Sequence, residues 1–355
     1  MPLMVRLSKQ GGKLEDPDSG LSIRLDAEGR WSSFRIQGRF YRRCLDGQVV
    51  QGAEAHLLDK SQAQVIYQQV WAWLNRLNSS ESLIVQSQSY TPEAYQALSQ
   101  HYFDAYPEPV SILPPDRYGD LVIQPARGCP NRRCRFCAFY KDKPYAVLNK
   151  SQLEQHLRDI ERLFGKAIYA RQGIFLGSAN AMALSQRRLT DCLQLINRRL
   201  GAVKRGVAAF ADPDFSAPRT EADWQALYKL GLRHIVIGLE TGWSALRTKL
   251  GKSGDLTQVQ RMIEASKRQG ITVGLTVLTG AAKQSGQHQQ IEETVSFLAQ
   301  QSLTEKDIVY LSPLNNKGTV EQNAYHELFH LKKKLKEEIA AKVVSYQMQR
   351  FNYYA

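Results

Sequence analysis

The chain lacks any apolar run approaching the roughly 18 residues that a membrane-spanning helix needs. Its start, Met1 to Lys13, turns polar after Val5 and lacks the apolar centre of a secretory signal. No membrane partner is therefore expected, and the expected compartment is the cytoplasm. Cysteine is scarce and odd in number, five in 355 residues, and three of the five crowd one loop, so a disulfide framework is not expected. Internal repeats and low-complexity tracts are missing too, which argues against a repeat array. Acid is undersupplied: 34 Asp and Glu face 47 Lys and Arg, a net charge of +13.

That positive excess raises the local concentration of an anionic partner, and an anionic substrate or RNA fits it. A basic protein with a merely solvated surface fits it equally well. No nucleic-acid motif accompanies the charge, and the basic residues are spread along the chain.

From about Leu121 the sequence alternates short apolar strands with amphipathic helices, the pattern of a parallel α/β fold. The expected strands are Leu121–Gln124, Gly173–Leu176, Gly206–Phe210, His234–Leu239, Ile271–Leu278 and Ile308–Leu311. Helical stripes lie between them, such as Leu153, Leu157, Ile160 and Phe164, then Leu189, Cys192, Leu193 and Ile196. Right-handed crossovers wind such a sheet in one direction. The first 115 residues instead suggest strands at Leu21–Leu25, Trp31–Ile36 and Arg39–Arg43, then helices near Gln62–Leu77 and Pro92–Phe103. Pro107, Pro109, Pro114 and Pro115 mark a stiff connector. The fold expected is α/β: a partial (β/α)6 TIM-type barrel, with a small N-terminal α+β cap and a C-terminal helix. Its divisions are cap and linker over 1–115, core barrel over 116–316, and helix with aromatic tail over 317–355.

Chemistry concentrates in Cys129, Cys134 and Cys137, within Arg-Gly-Cys-Pro-Asn-Arg-Arg-Cys-Arg-Phe-Cys. Three thiolates on one loop suit a soft metal centre. A cubane iron–sulfur cluster ordinarily takes four cysteines, so three leave one iron open to a substrate or cofactor. A zinc ion is the alternative, but none of the seven histidines lies near this loop in sequence. Cys44 and Cys192 read as buried structural thiols.

The triplet resembles the motif of the radical S-adenosylmethionine (SAM) superfamily, placed after the first strand of the β/α region. The family spacing is C-x3-C-x2-C; here it is C-x4-C-x2-C, with one extra residue before Cys134. Phe136 matches the aromatic position that packs near the SAM adenine. Leu176-Gly177-Ser178-Ala179-Asn180 stands where the family has a Gly-Gly-Glu-like segment meeting the SAM amino group. The acid is missing from it, so the resemblance assigns that contact to Asn180 or to backbone carbonyls. Ile237-Gly238-Leu239-Glu240-Thr241-Gly242 resembles a segment of the Elp3, coproporphyrinogen-oxidase-like and methylthiotransferase branches, and makes Glu240 a SAM ligand. Tyr310-Leu311-Ser312-Pro313-Leu314 matches the sixth strand and adds Ser312. Asp212 also falls at a strand end, where β/α barrels carry their functional groups.

The resemblance implies one [4Fe–4S] cluster on the three cysteines, with SAM bound at the open iron. Reductive cleavage of SAM to a 5′-deoxyadenosyl radical, and hydrogen abstraction from an unidentified substrate, would follow. It further implies an electron donor of flavodoxin or ferredoxin type. A cluster- or haem-binding carrier with the same fold and little catalysis is the alternative. No catalytic residue is assigned.

One motif competes. His326-Glu327-Leu328-Phe329-His330 is a literal H-E-x-x-H, the zinc-protease pattern on a helix. Lys333 and Lys336 occupy the places where an extended version needs glycine and histidine, and no carboxylate side chain follows Glu338. The pattern reads as accidental.

Overall fold

The computed structural model describes every residue except 1, 2, 178, 317, 318, 321, 347, 349 and 350. The chain divides into two compact units. The first comprises Met1–Leu121, Glu154–Gln172 and Arg350–Ala355, and the second comprises Val122–Leu153 and Gly173–Gln349.

In the first unit seven antiparallel strands follow one another in sequence order, from Met4–Ser8 to His56–Leu57. The alternation Leu21, Ile23, Leu25 turns those side chains to one face, where they are buried with Trp31, Phe34 and Tyr41. Gln37 and Gly38 both take positive φ, +49° and +76°, as a two-residue hairpin joining Trp31–Ile36 to Arg39–Arg43 requires. Helix Lys60–Asn75 begins with a capping box, in which Asp59 accepts from the Gln62 backbone at 2.8 Å and the Gln62 side chain accepts from the Asp59 backbone at 3.1 Å. Ile66, Tyr67, Val70 and Leu74 of this helix, with Tyr95 of helix Pro92–Ala105, close the core over Trp31. Sequence pattern reveals three of the seven strands. Met4–Ser8 is exposed along its whole length, so it has no alternation to read.

The second unit holds a seven-stranded parallel sheet. Its order is Lys342–Ser345, Ile308–Pro313, Thr272–Thr279, Leu232–Glu240, Val207–Ala211, Ile174–Leu176 and Leu121–Ile123, the last strand starting one residue before the unit. Helices separate successive strands, among them Gln186–Leu200, Glu221–Lys229, Thr257–Arg268, Gln287–Ala299 and Gln322–Glu338. The result is a partial TIM-type β/α fold. All six expected strands form, each within two residues of its expected bounds. A seventh, Lys342–Ser345, adds parallel to Ile308–Pro313, with Ile308 opposite Lys342. It falls where only an aromatic tail is expected, because Lys-Val-Val-Ser is too short to show a period.

The tail residues 351–355 belong to the first unit, where Tyr353 packs edge-on against Tyr106 and Phe164, with centroids 5.8 and 6.4 Å away. Cys44 and Cys192 are both buried, as expected.

Candidate metal and cofactor site

The cysteine loop leaves strand Leu121–Ile123 at its C-terminal end and has no regular structure between Cys129 and Cys137. Three local devices fix it. Gly128, at φ +66°, lets the Pro144 carbonyl approach so closely that a Cβ would meet it at 2.5 Å. The Arg132 guanidinium donates twice to the Lys141 carbonyl, at 3.1 and 3.0 Å. The Arg135 backbone N–H donates to the Leu250 carbonyl at 3.0 Å. That last bond lays the loop along Leu250-Gly251-Lys252. Gly251, at φ +87°, is the close contact there: a Cβ would fall 2.3 Å from the Arg133 carbonyl oxygen.

Lys252 follows directly, and its Nζ lies 3.1 Å from Asp212 Oδ2 and 3.4 Å from Glu240 Oε1. All three side chains are buried. Burial alone would pull the Lys252 ammonium down, but the two carboxylates outweigh it and hold the group protonated well above its ordinary value. Burial pushes Glu240 up, and Lys252 pulls it part of the way back. Asp212 also accepts from Asn131 Nδ2 at 3.3 Å, which ties the ion cluster into the cysteine loop.

The three thiols share this surrounding. Burial pushes Cys129 up to about 11 and Cys134 up to about 12, and raises Cys137 as well. Lys252 acts on every one of them in the opposite direction. Cys137 adds a smaller upward push on both other thiols. Thiolates, not thiols, are metal ligands, and a buried cation beside them lowers the cost of forming them.

Glu240 ends strand Leu232–Glu240 in a backbone conformation rare for a side-chain-bearing residue, φ +66°. The pairing with Thr272–Thr279 skips there: Gly238 faces Thr276 and Glu240 faces Val277. This bulge re-aims the glutamate. Arg247, fully buried, holds the strand end by donating from Nε to the Leu239 carbonyl at 3.1 Å, and it pairs with Asp214 at 3.4 Å. Gly238 leaves room for the cluster, since a Cβ there would sit 2.8 Å from Glu240 Oε1 and 2.9 Å from Lys252 Nζ.

The remaining sequence-derived positions fall at the same ends of the strands. Asn180 is 2% exposed, and neither its amide oxygen nor its nitrogen finds a partner among the described residues. The Ser312 hydroxyl is likewise buried without one. Buried polar groups without partners are uncommon, and a ligand is one way to satisfy them. Gly177 is buried and donates its backbone N–H to the Ile123 carbonyl at 2.9 Å. Phe136 packs with Trp243, Leu246, Leu250 and Leu278. Ser178 lies outside the described residues. The Asn131–Asp212 hydrogen bond thus links the cysteine loop to the Lys252 ion cluster that includes Glu240.

Lys252 and Arg247 are invisible to sequence reasoning. Both sit among other cations, in Arg247-Thr-Lys249-Leu-Gly-Lys252, a run that looks like solvated surface. Only burial distinguishes them.

The H-E-x-x-H segment does lie on a helix, Gln322–Glu338, but its parts do not converge. His326 and His330 are exposed, whereas Glu327 is buried and accepts from the Gly280 backbone N–H at 3.1 Å. Among the described residues no three His, Cys, Asp or Glu side chains gather closely enough to hold a single metal ion. A cubane makes no such demand, because each cysteine takes a different iron. The donor set, three soft thiols beside a buried cation, fits that group.

Residues 123–298 match the family model of the radical SAM superfamily. This part of the chain is a radical SAM domain, and the class is one of enzymes whose cofactors are a [4Fe–4S] cluster and SAM. Among solved structures, the chain is similar to the cobalamin-dependent SAM radical enzyme OxsB, at 19% identity and TM-score 0.42, over 62% of this chain and 31% of that one. It is similar to methylornithine synthase (PylB) at 14% identity and TM-score 0.45, over 78% and 80%. It is similar to SuiB of Streptococcus suis at 14% and 0.46, over 97% and 71%. The chain thus spans under a third of the length of OxsB. No curated protein matches it. Among the described residues no helix is long and apolar enough to cross a membrane.

Proposed function

We propose that Cys129, Cys134 and Cys137 hold a [4Fe–4S] cluster, and that the chain uses it to cleave SAM and abstract hydrogen from a substrate. One observation carries this reading: the loop bearing the three thiols is tied by Asn131 and Arg135 to a buried Lys252–Asp212–Glu240 ion cluster at the C-terminal ends of the parallel strands. When bound, the cluster and SAM supply one-electron chemistry, ending in a carbon-centred radical that takes a hydrogen atom.

The protein's own residues do the rest. Lys252 offsets the negative charge that three thiolates bring into a buried site. Asp212 and Glu240 keep that ammonium charged and, through Asn131, in register with the cysteine loop. Asn180 and Ser312 offer buried polar atoms for the amino-acid end of SAM, and the Glu240 carboxylate serves its amino group. Phe136 presents an aromatic face for the adenine, and its apolar neighbours keep water away. A soluble one-electron donor of flavodoxin or ferredoxin type supplies the reducing equivalent, and the cytoplasm is the compartment that suits these thiols.

Anaerobic reconstitution with iron and sulfide tests the assignment. An iron content near about four per chain is expected, with an electron-paramagnetic signal of the reduced protein that changes when SAM is added. Cys134→Ala should lose the signal, and Cys192→Ala should keep it. Equal iron loading in both variants would sink the proposal.

A further inference from the structure

A row of cations crosses the antiparallel sheet of the first unit. In the strand register Arg6 lies opposite Lys13, Lys13 opposite Arg24, Arg24 opposite Ser33, and Ser33 opposite Arg42. Directly opposed residues point to the same face. Five adjacent strands therefore carry four cations and one hydroxyl in a single line, about 19 Å long at the usual strand spacing. Like charges placed directly opposite one another destabilise a sheet. Unless an anion lies along it, this row costs stability.

The row does not neutralise itself. Glu15 is the carboxylate among these cations; it pairs with Lys13 and is drawn down mainly by that contact, with help from Arg6 and Arg24. Asp26, nearby, is committed to Arg30 at 2.7 Å. Arg42 is half-buried, and its guanidinium lies 3.5 Å over the Tyr354 ring, with no carboxylate among the groups that act on it. Arg171 adds a fifth cation beside it, held by a 2.9 Å bond to the Tyr354 carbonyl. These five cations and Tyr354 line one open cavity of about 590 Å³ that lies wholly within the first unit.

We propose that this face binds a single-stranded phosphodiester chain, its phosphates running along the Arg6–Lys13–Arg24–Arg42 row. A line of separated cations suits a string of separated phosphates better than it suits one compact anion. The Ser8 and Ser32 hydroxyls in the cavity wall already donate to the Gly11 and Arg24 carbonyls, at 3.2 and 3.3 Å, so the cations carry the phosphate contacts. Contacts of this kind bind the backbone and leave the base sequence unread.

The test is fluorescence anisotropy of the full chain with a labelled oligouridylate of about 12 nucleotides, within the usual span of such sites, across a range of salt. Arg6 and Arg24 are exposed, so the double variant R6Q/R24Q should fold, which its melting temperature verifies. The control K333Q/K336Q removes the same charge from an exposed helix face of the second unit. Wild type and control should bind alike, while R6Q/R24Q should bind at least about tenfold more weakly, with a salt slope shallower by about 1 to 2. Equal weakening in both variants would reduce the effect to net charge and overturn the proposal. So would failure of the wild type to bind. Binding of inorganic pyrophosphate without binding of the oligonucleotide would also overturn it, in favour of a small phosphorylated ligand. None of these readouts depends on iron, so a failure here leaves the cluster assignment untouched.

Discussion

Lys252 has two carboxylates for partners and almost no water. Replacing it with alanine would leave Asp212 and Glu240 buried without their cation, which costs about 3 kcal/mol or more when one member of a buried pair is deleted. Lys252→Ala should therefore lower the denaturation midpoint sharply. Restoring neutrality with the triple change Lys252→Met, Asp212→Asn and Glu240→Gln should recover much of that loss. If Lys252→Ala melts like wild type, the three side chains do not form the cluster described. Glu327 makes a different prediction. Burial raises its carboxyl from the ordinary 4.5 to about 7, against the pull of the Gly280 N–H. The folded chain then holds the proton more tightly than the unfolded chain does, so stability falls as pH rises from about 4.5 to about 7. The full drop from this group is about 3 kcal/mol at its upper limit. Glu327→Gln should flatten that part of the stability–pH curve, measured by urea unfolding; an unchanged slope would contradict the assignment. At this scale the sequence displays the thiols and Glu240, because motif neighbours surround them. Lys252 stays hidden, since a lysine in a basic run carries no local mark of burial.

The cysteine loop rests on the segment Leu250-Gly251-Lys252 through the Arg135–Leu250 hydrogen bond and the close approach at Gly251. Gly251 combines a left-handed φ with backbone contact to Arg133, so even one added carbon forces the two segments apart. Gly251→Ala should destabilise the chain by about 1 to 3 kcal/mol. It should also cut iron uptake on reconstitution, whereas Gly201→Ala, whose glycine faces open space, should leave iron uptake intact. Normal iron content in Gly251→Ala would show that the loop does not need this support. Strands and helices of the parallel sheet are legible because each buries a face of its own, as Val259 and Ile263 do on helix Thr257–Arg268. Lys342–Ser345 is illegible for the opposite reason. Four residues with two apolar side chains become a strand only because Ile308–Pro313 offers them an edge. The same holds for the outermost strands of the N-terminal sheet, which are recruited by pairing and not by propensity.

At the scale of the whole molecule the charge of +13 sets how partners arrive. Long-range attraction is screened within about 10 Å at moderate salt. Reduction by an acidic electron carrier should accordingly slow as ionic strength rises from about 0.05 to about 0.5 M. Reduction by a small neutral reductant should not. Stopped-flow absorbance of the reconstituted protein gives both rates, and equal salt dependence would deny the charge any part in the encounter. The two compact units also divide the chemistry, with the thiols and their buried cation in the second and the cation row in the first. Their boundary is not one that sequence could supply, because the first unit is assembled from three separate stretches of chain. The account stands most directly on one product. Reconstituted wild-type protein, given SAM and dithionite without oxygen, should form 5′-deoxyadenosine, and Cys134→Ala should form none. A wild-type sample with its [4Fe–4S] cluster verified by spectroscopy, yet forming no 5′-deoxyadenosine, would contradict it.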